Sequence, residues 1–174
     1  MEIPRVPAGL RQRSPTAHTH VFVAEHLGRR GAEASSATND GWQVDIAENF
    51  HRGVEDAFLA RLLEHPKVRL HRVDFLDPAA VNHIDRDYDV ILHLAAIVGV
   101  RHVLADSAAV LNDNARMTLT ALEAARQQTT LTRFLFTSTS EVTAGTLAQL
   151  GAAHQIPTPE NVPLVVPSLN AART

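Results

Sequence analysis

Asp89-Val90-Ile91-Leu92-His93-Leu94-Ala95-Ala96 is a nearly continuous apolar run that indicates the class of fold. Side chains along a strand point alternately to the two faces of a sheet, so such a run is typical of a central parallel strand that is covered on both faces. After it we expect a long helix from about Ser107 to Gln127, whose inward stripe would be Val110, Leu111, Ala115, Leu119, Leu122 and Ala125. Residues 133–138 predict the next strand.

The residues before this stretch show the same alternation of strand and helix. Gln43–Ala47 predicts a short strand, Gly53–His65 a helix, and Val68–Val73 an alternating strand. Asp77 and Pro78 predict the cap and first position of a short helix that reaches about Ile84. Because strands that alternate with helices form parallel sheets, the sequence predicts an α/β fold with a doubly wound parallel sheet over residues 21–155.

Both ends of the chain lack this regular pattern. Residues 1–20 hold three prolines and no periodicity, which predicts a poorly ordered lead-in. Val21–Leu27 is predicted as a helical start that Gly28 interrupts. A short helix is expected at Ala144–Ala153, and residues 156–174, which contain four prolines, predict a surface tail.

Composition narrows the classes of protein. The 174 residues include 16 Lys+Arg and 19 Asp+Glu, a formal net charge of -3, so no basic surface for nucleic acid is expected. The absence of cysteine excludes disulfides, thiolate catalysis and Cys-based zinc sites, and no other metal site is predicted. No run approaches the ~20 apolar residues of a membrane span, and the N-terminus lacks the apolar segment of a signal peptide. We expect a soluble cytoplasmic protein without membrane partners.

Residues just after the predicted strands are the candidates for binding, because ligands of such sheets bind beyond the carboxyl ends of the strands. Glu48 could accept both hydroxyls of an adenosine ribose, although a solvated loop carboxylate is the favoured reading of so short a motif. Asp74 could bind an adenine amino group. Ala95 and Ala96 would allow close approach of a ligand or simply pack a helix onto the sheet. Thr139 could hold a substrate oxygen or cap the next helix.

Taken in order along the chain, these pieces resemble the extended short-chain dehydrogenase/reductases, in particular the NAD-dependent epimerase/dehydratase family of nucleotide-sugar enzymes. The matching segments are Glu48-Asn49-Phe50-His51-Arg52-Gly53, Val73-Asp74-Phe75-Leu76-Asp77, His93-Leu94-Ala95-Ala96, Asn114 and Thr118 ahead of Leu122-Glu123-Ala124-Ala125, and Arg133–Val142. The resemblance implies a Rossmann-like fold, NAD as the cofactor and a nucleotide sugar as the substrate.

The resemblance also implies roles for single residues. Those that would contact the cofactor are Glu48, in place of the family's ribose-binding aspartate, with Asn49 after it, Asp74 and Phe75 (or Leu76) at the adenine, and Leu94, Ala95 and Ala96 at the phosphates and ribose. Asn114 would support the active site. Thr139 would be the catalytic Ser/Thr that hydrogen-bonds the reacting oxygen. His93, in the middle of a strand, is predicted to be a core histidine.

Two motifs of the family are not matched. If a helix begins at Phe22, the glycines of the family's Gly-x-x-Gly-x-x-Gly turn fall on His18, Val21 and Ala24, with no strand before them. The family also uses Tyr-x-x-x-Lys, whose tyrosine is the general acid/base. The one tyrosine and one lysine of this chain, Tyr88 and Lys67, stand before the central strand. These departures predict a family member that is divergent at its start and truncated at its end, with an incomplete sheet.

Three hypotheses about function remain open. The first is an NAD-dependent nucleotide-sugar epimerase/dehydratase by descent that is inactive as this chain. The alternative is a non-catalytic nucleotide-binding or interaction module, which could form a homo-oligomer through uncovered apolar surface. The third is a fragment that does not fold stably because its sheet lacks the first strand. Affinity for adenosine that depends on Glu48 and Asp74 would favour a retained cofactor site.

Overall fold

The secondary structure follows the alternation of strands and helices that the sequence predicts. The protein is described in a computed structural model over residues 20–24, 38, 40–51, 53–139 and 161. Within these ranges the elements are β1 (His20–Ala24), β2 (Gln43–Glu48), α1 (Ala57–Leu63), β3 (Val68–Arg72), a 3₁₀ helix (Pro78–His83), β4 (Val90–His93), α2 (Val100–Ala105), α3 (Ser107–Arg126) and β5 (Arg133–Phe136).

The chain divides into two compact units, residues 1–136 and 137–174. All of the elements named above lie in the first unit. The predicted helix at Ala144–Ala153 lies outside the described residues, as do the lead-in up to residue 19 and, apart from Asn161, the predicted tail. The proposed domain limits at residues 21 and 155 therefore stay a prediction.

The strands form one parallel sheet of five strands in the order β3-β2-β1-β4-β5. β1 lies at the centre, where Val21 is the register partner of both Val44 in β2 and Val90 in β4. Successive strands move outward from β1 to β3 on one side and then from β4 to β5 on the other. The strand order therefore reverses between β1 and β4, which is where sheets of this class bind their ligands.

The central position of β1 corrects three expectations. Residues 20–24 form a strand and not the start of a helix, and the chain does not lack the first strand of its sheet. Val21 and Val23 are β-branched and favour a strand, and neighbours on both sides complete its hydrogen bonding. Val21 and Ala24 lie inside this strand, so they cannot belong to a turn that follows it. His18 lies outside the described residues.

Helices cover both faces of the sheet, as the doubly wound fold predicts. α1 contributes Leu59 and Leu62 to the core on one face, together with the strand residues Val44, Ile46, Val68 and Val90. The core on the other face combines residues of α3 and of the loops with Ala47 and Ile91 from the strands: Phe75, Ile84, Tyr88, Met117, Ala121 and Ala124. β2 and β4 thus supply side chains to both cores, because successive residues point to opposite faces.

Helix α3 turns a different face to the sheet from the one predicted. Its buried residues are Met117, Ala121 and Ala124, whereas Leu111, Ala115, Leu119 and Leu122 are exposed. The other two predicted positions, Val110 and Ala125, are partly buried, and Ala125 packs against the core on the α3 face, so the buried face overlaps one side of the predicted stripe. In the part of the chain that the structure describes, no helix combines the length and the apolar character that a membrane span needs.

The remaining helices differ from prediction mainly at their ends. α1 begins at Ala57 and not at Gly53, because the carboxylate of Asp56 caps it by accepting the Leu59 N–H at 2.9 Å. Asp77 caps the 3₁₀ helix through the Ala79 N–H, also at 2.9 Å, as its sequence position predicts. The short helix α2 was not predicted.

A buried carboxylate, Asp45, joins β2 to β3 and to the segment before β4. It is 2% exposed. It accepts two hydrogen bonds from Arg69 at 2.8 and 2.7 Å, one from the Tyr88 hydroxyl at 2.5 Å, and one from His71 Nε2 at 3.0 Å. Burial by itself would raise the pKa of Asp45, but the hydrogen bonds from His71, Arg69 and Tyr88 outweigh it and lower the pKa to about 2. Asp45 is therefore ionised in the folded protein at neutral pH.

We expect Asp45→Asn to lower the free energy of unfolding by about 2 kcal/mol at pH 7, because hydrogen bonds to a charged acceptor contribute ~1.5–3 kcal/mol. The folded pKa of Asp45 lies below its ordinary value of 3.8, so this loss should be present above pH 3.8 and should disappear as the pH falls towards 2. Urea denaturation of both proteins over this pH range measures it.

Asp85→Asn is the matched control. Asp85 also bonds Arg69, at 3.0 Å, but its side chain is 50% exposed, so the change should cost less than about 1 kcal/mol. Equal losses in the two variants would show that burial of Asp45 does not matter for its contribution.

Candidate functional site

Residues that follow β2, β3 and β4 meet at one edge of the sheet and line a pocket. The described residues that line it are Ala47, Glu48, Asn49, His51, Val73, Asp74, Phe75, Leu76, Ala95, Ala96, Ile97 and Met117. They come from the end of β2, from the loops that follow β2, β3 and β4, and from α3. The pocket therefore brings together six residues that the sequence marked as candidates: Glu48, Asn49, Asp74, Phe75, Ala95 and Ala96.

Glu48, the last residue of β2, is 2% exposed. Its Oε1 accepts the backbone N–H of Phe50 at 2.8 Å, and its carboxyl group lies against the backbone of Gly53. Asn49 makes a similar local turn, in which its Oδ1 accepts the His51 N–H at 2.9 Å. The loop after β2 is thus folded back onto the carboxylate, which contradicts the reading of Glu48 as a solvated loop residue.

The loop after β3 contributes one polar and one apolar side chain. Asp74 accepts the Leu76 N–H on its Oδ1 at 2.9 Å, which shapes the turn into the 3₁₀ helix. Phe75 is 4% exposed and belongs to the core on the α3 face. A carboxylate and an aromatic ring therefore stand side by side at this wall of the pocket.

The loop after β4 separates the three residues that were predicted together. Ala95 and Ala96 line the pocket, whereas Leu94 packs against the core on the α1 face and is not among its described lining. Asn114 in α3 does not line the pocket either. Its side chain instead binds the backbone of Ile97 in the loop after β4: Oδ1 accepts the Ile97 N–H at 2.7 Å, and Nδ2 donates to the Ile97 carbonyl at 3.1 Å.

The matches with known proteins agree with this geometry. Residues 22–164 match the sequence model of the family described as NAD dependent epimerase/dehydratase. The chain belongs to the NAD-dependent epimerase/dehydratase family. NAD is the cofactor by which this family is defined, and the relatives described next carry nucleotide sugars in their names.

Two relatives show how much of the family's length this chain covers. A UDP-N-acetyl-alpha-D-glucosaminuronate decarboxylase of Bacillus cytotoxicus is 28% identical over 121 residues, which are 70% of this chain and 34% of that protein. A crystal structure of a UDP-galactose 4-epimerase is 28% identical with a TM-score of 0.65, over 84% of this chain and 45% of that one. The chain thus spans less than half the length of these relatives.

A third similarity concerns the fold alone. The UDP-glucose 4-epimerase of Bifidobacterium longum, solved in complex with NAD⁺ and UDP, has a TM-score of 0.69 at 20% identity. The match covers 84% of this chain and 43% of that structure. The parallel sheet with helices on both faces is therefore the Rossmann-like fold that the sequence resemblance implied.

The residue types of the family's proton-transfer pair are engaged away from the pocket. Tyr88 is 1% exposed, and its hydroxyl donates a hydrogen bond to the Asp45 carboxylate. Burial and this hydrogen bond to a carboxylate raise the pKa of Tyr88 well above its ordinary value, which is the wrong direction for a general base. Lys67 donates to the Gly41 carbonyl at 2.7 Å. Neither residue is among the described lining of the pocket.

Two family motifs lie outside the described part of the first unit. Thr139 follows the end of β5 by three positions and belongs to the second unit, so its catalytic role stays a prediction. The family's glycine turn comes after β1, and the chain there reads Glu25-His26-Leu27-Gly28-Arg29-Arg30-Gly31. Gly28 and Gly31 have the spacing of the last two family glycines, and Glu25 stands at the first. The structure of this segment lies outside the described residues.

His93 has the structural role that its position predicts. It is 1% exposed, its Nε2 lies 3.2 Å from the Thr118 hydroxyl, and its ring is 5.8–6.4 Å from those of Phe75, Phe134 and Phe136. Burial lowers the pKa of His93, so the imidazole is neutral at pH 7. It is a core residue behind the pocket and not a pocket residue.

Leu76, which the resemblance offered as the alternative to Phe75, also lines the pocket. The sequence assigned no site role to five further described lining residues: Ala47, His51, Val73, Ile97 and Met117. Met117 could have been found, because it follows Asn114 by three positions and so shares its face of a helix. Ile97 directly follows the His93–Ala96 motif. His51 had no signal of its own, since only the folded loop brings it back to the pocket.

We expect Asn114→Ala to speed hydrogen exchange at the Ile97 amide, because the variant loses both hydrogen bonds between α3 and the β4–α2 loop. The cost in stability should be about 1 kcal/mol, the usual net contribution of such bonds. Amide exchange followed by NMR measures the first effect and urea denaturation the second. Asn112→Ala is the control, since Asn112 is exposed and bonds only its neighbour Asp113 among the described contacts. Unchanged exchange at Ile97 would contradict the clamp.

Proposed function

We propose that this chain binds NAD in the pocket beyond β2, β3 and β4, as the cofactor-binding part of a nucleotide-sugar epimerase or dehydratase. One observation carries the proposal. Residues that match family motifs in three separate stretches of sequence, at 48–49, 74–75 and 95–96, line one pocket. These motifs are 20 or more residues apart in the sequence, and it is the parallel sheet that brings them to one pocket.

The chemistry of the lining suits the adenosine half of NAD. Glu48 and Asp74 offer oxygen acceptors to ribose hydroxyls and to the adenine amino group, Phe75 offers an apolar surface, and Ala95 and Ala96 leave room for close approach. The two carboxylates would repel the 2′-phosphate of NADP. The described residues enclose about 190 Å³, which is below the ~300–1,000 Å³ of a complete small-molecule site. They would hold one part of the dinucleotide.

The remaining roles are carried over from the family, residue by residue. In the sequence, Gly28 and Gly31 match the last two glycines of the turn with which the family binds the pyrophosphate. Asn114 would fix the loop that carries Ala95 and Ala96. Thr139 would hydrogen-bond the reacting oxygen of a UDP-sugar substrate. Bound NAD would supply the hydride chemistry of the reaction.

A second candidate function is favoured by Tyr88. Because the single tyrosine donates to Asp45 inside the core, the chain would bind the nucleotide without a tyrosine to transfer the proton. This is the non-catalytic nucleotide-binding module. A cytoplasmic location and assembly into a homo-oligomer also stay predictions.

We expect the folded chain to bind NAD⁺ in preference to NADP⁺, and Glu48→Gln to weaken NAD⁺ binding at least ~10-fold. Glutamine keeps the size of the side chain but loses the charge, and a hydrogen bond to a charged group is worth ~1.5–3 kcal/mol. Isothermal titration calorimetry measures both affinities. Glu64→Gln is the matched control, since Glu64 is exposed and lies at the end of α1.

Two results would overturn the cofactor site. One is the absence of NAD⁺ binding to a sample that circular dichroism shows to be folded. The other is equal affinity of the Glu48→Gln and Glu64→Gln proteins, which would remove Glu48 from the site.

We further expect binding with greatly slowed turnover. With a UDP-hexose and NAD⁺, this chain should epimerise ~10²–10⁴-fold more slowly than a family enzyme that has the Tyr-x-x-x-Lys pair, because that is the usual contribution of a general acid/base. Proton NMR of the sugar anomeric signals measures it. Turnover that survives Tyr88→Phe would show that another group transfers the proton. Turnover that this change abolishes, in a sample that circular dichroism shows to be as stable as the unmodified chain, would contradict a purely structural role of Tyr88.

A further inference from the structure

In the loop after β2, the carboxyl group of Glu48 lies next to the position that a side chain would take at Gly53. At Gly53, an added Cβ would lie 3.0 Å from Cδ of Glu48 and 3.2 Å from each of its two oxygens. These are the three nearest heavy atoms. The space that a side chain would fill at position 53 is therefore occupied by the Glu48 carboxylate.

Gly53 is not required by the backbone. The glycines of the described residues that adopt a positive φ are Gly41 and Gly99, and Gly53 is not one of them. Alanine could adopt the backbone conformation of residue 53 without strain. Glycine at this position therefore leaves room for the Glu48 carboxylate and is not needed for the backbone conformation.

The strain in this loop lies at Phe50, which has φ +57°. A bulky residue rarely adopts this left-handed conformation, and such strain persists where the surroundings impose it. Here the Phe50 N–H bonds Glu48, and the Arg72 guanidinium lies 4.5 Å from the centre of the Phe50 ring. Arg72 is itself held by an ion pair with Glu55. The loop is consequently built so that the Phe50 N–H points at the carboxylate.

We propose that Gly53 is a positioning residue for Glu48. The Phe50 N–H donates a hydrogen bond to the carboxylate, and the missing side chain at Gly53 leaves the space that the carboxylate occupies. These two features together fix one orientation of the carboxylate before a ligand binds. This inference rests on the proposed function, in which Glu48 receives the ribose hydroxyls of NAD. Gly53 itself touches no ligand in this arrangement.

The consequence of Gly53→Ala is a displaced carboxylate in a protein that still folds. The atoms that must move are the end of a flexible side chain, so the backbone need not shift. Alanine also restricts the unfolded chain more than glycine does, so the melting temperature should be unchanged or slightly higher. Affinity for NAD⁺ should nevertheless fall about 10-fold, the effect of misplacing one hydrogen bond to a charged group. A merely structural role would move stability and affinity in the same direction.

The experiment is a double-mutant cycle that combines Glu48→Asp with Gly53→Ala, in the full chain, with NAD⁺ as the titrant. Aspartate is one methylene shorter than glutamate, so at position 48 its carboxylate does not reach the added Cβ. Gly53→Ala should therefore cost about 10-fold in the unmodified chain and less than about 2-fold in the Glu48→Asp background. Val54→Ala, which shortens an exposed side chain of the same loop, is the control and should leave affinity unchanged.

A second readout needs no ligand. The amide proton of Phe50 reports its hydrogen bond to Glu48, and its NMR resonance should shift in Gly53→Ala but not in Val54→Ala. An unmoved Phe50 resonance would overturn the proposal, as would an equal loss of affinity with and without the Glu48→Asp change. Failure of the unmodified chain to bind NAD⁺ would instead overturn the proposed function, and a shifted Phe50 resonance would then still support the positioning of Glu48.

Discussion

The pairing of β1 with β2 on one side and β4 on the other is the constraint on which the pocket depends. In this register Ala24 stands level with both Ala47 and His93. The chain therefore leaves β2 and β4 at the same height, with Glu48 on one side of the central strand and Leu94 on the other. Without β1 the two halves of the sheet would have no common edge, and the loops that line the pocket would have no fixed distance between them.

Polar groups of this sheet separate into two sets with different tasks. Asp45, Arg69 and Tyr88 satisfy one another within and beside the strands, where a lone charge would be costly to bury. Glu48 and Asp74 lie at the carboxyl ends, where local backbone N–H groups orient them and the pocket remains open. The single tyrosine belongs to the first set. The stability of the sheet and the chemistry of the pocket thus rest on different residues.

The loop after β2 shows how an acidic residue can be oriented before any ligand binds. The carboxylate of Glu48 accepts a hydrogen bond from the backbone N–H of the strained Phe50 and occupies the space that a side chain at Gly53 would fill. Orientation in advance lowers the entropy that binding must overcome. The strained Phe50 is therefore best understood together with Glu48 and Gly53, as one unit of the cofactor side of the pocket.

Periodicity and strand-end position are local properties of a chain, so β2 to β5, α1, α3 and the candidate residues at the ends of β2, β3 and β4 could be predicted without the structure. The position of His20–Ala24 as the central strand could not be predicted in this way, since the strands that pair with it on both sides come from elsewhere in the sequence. The fold also selected the face of α3 that is buried, which carries Met117, Ala121 and Ala124, because apolar residues occur on several faces of this helix and their spacing alone does not distinguish among them. It also decided that Asp45 and Tyr88, 43 residues apart, form a hydrogen-bonded pair, since a buried charge takes its partners from whatever the fold brings near.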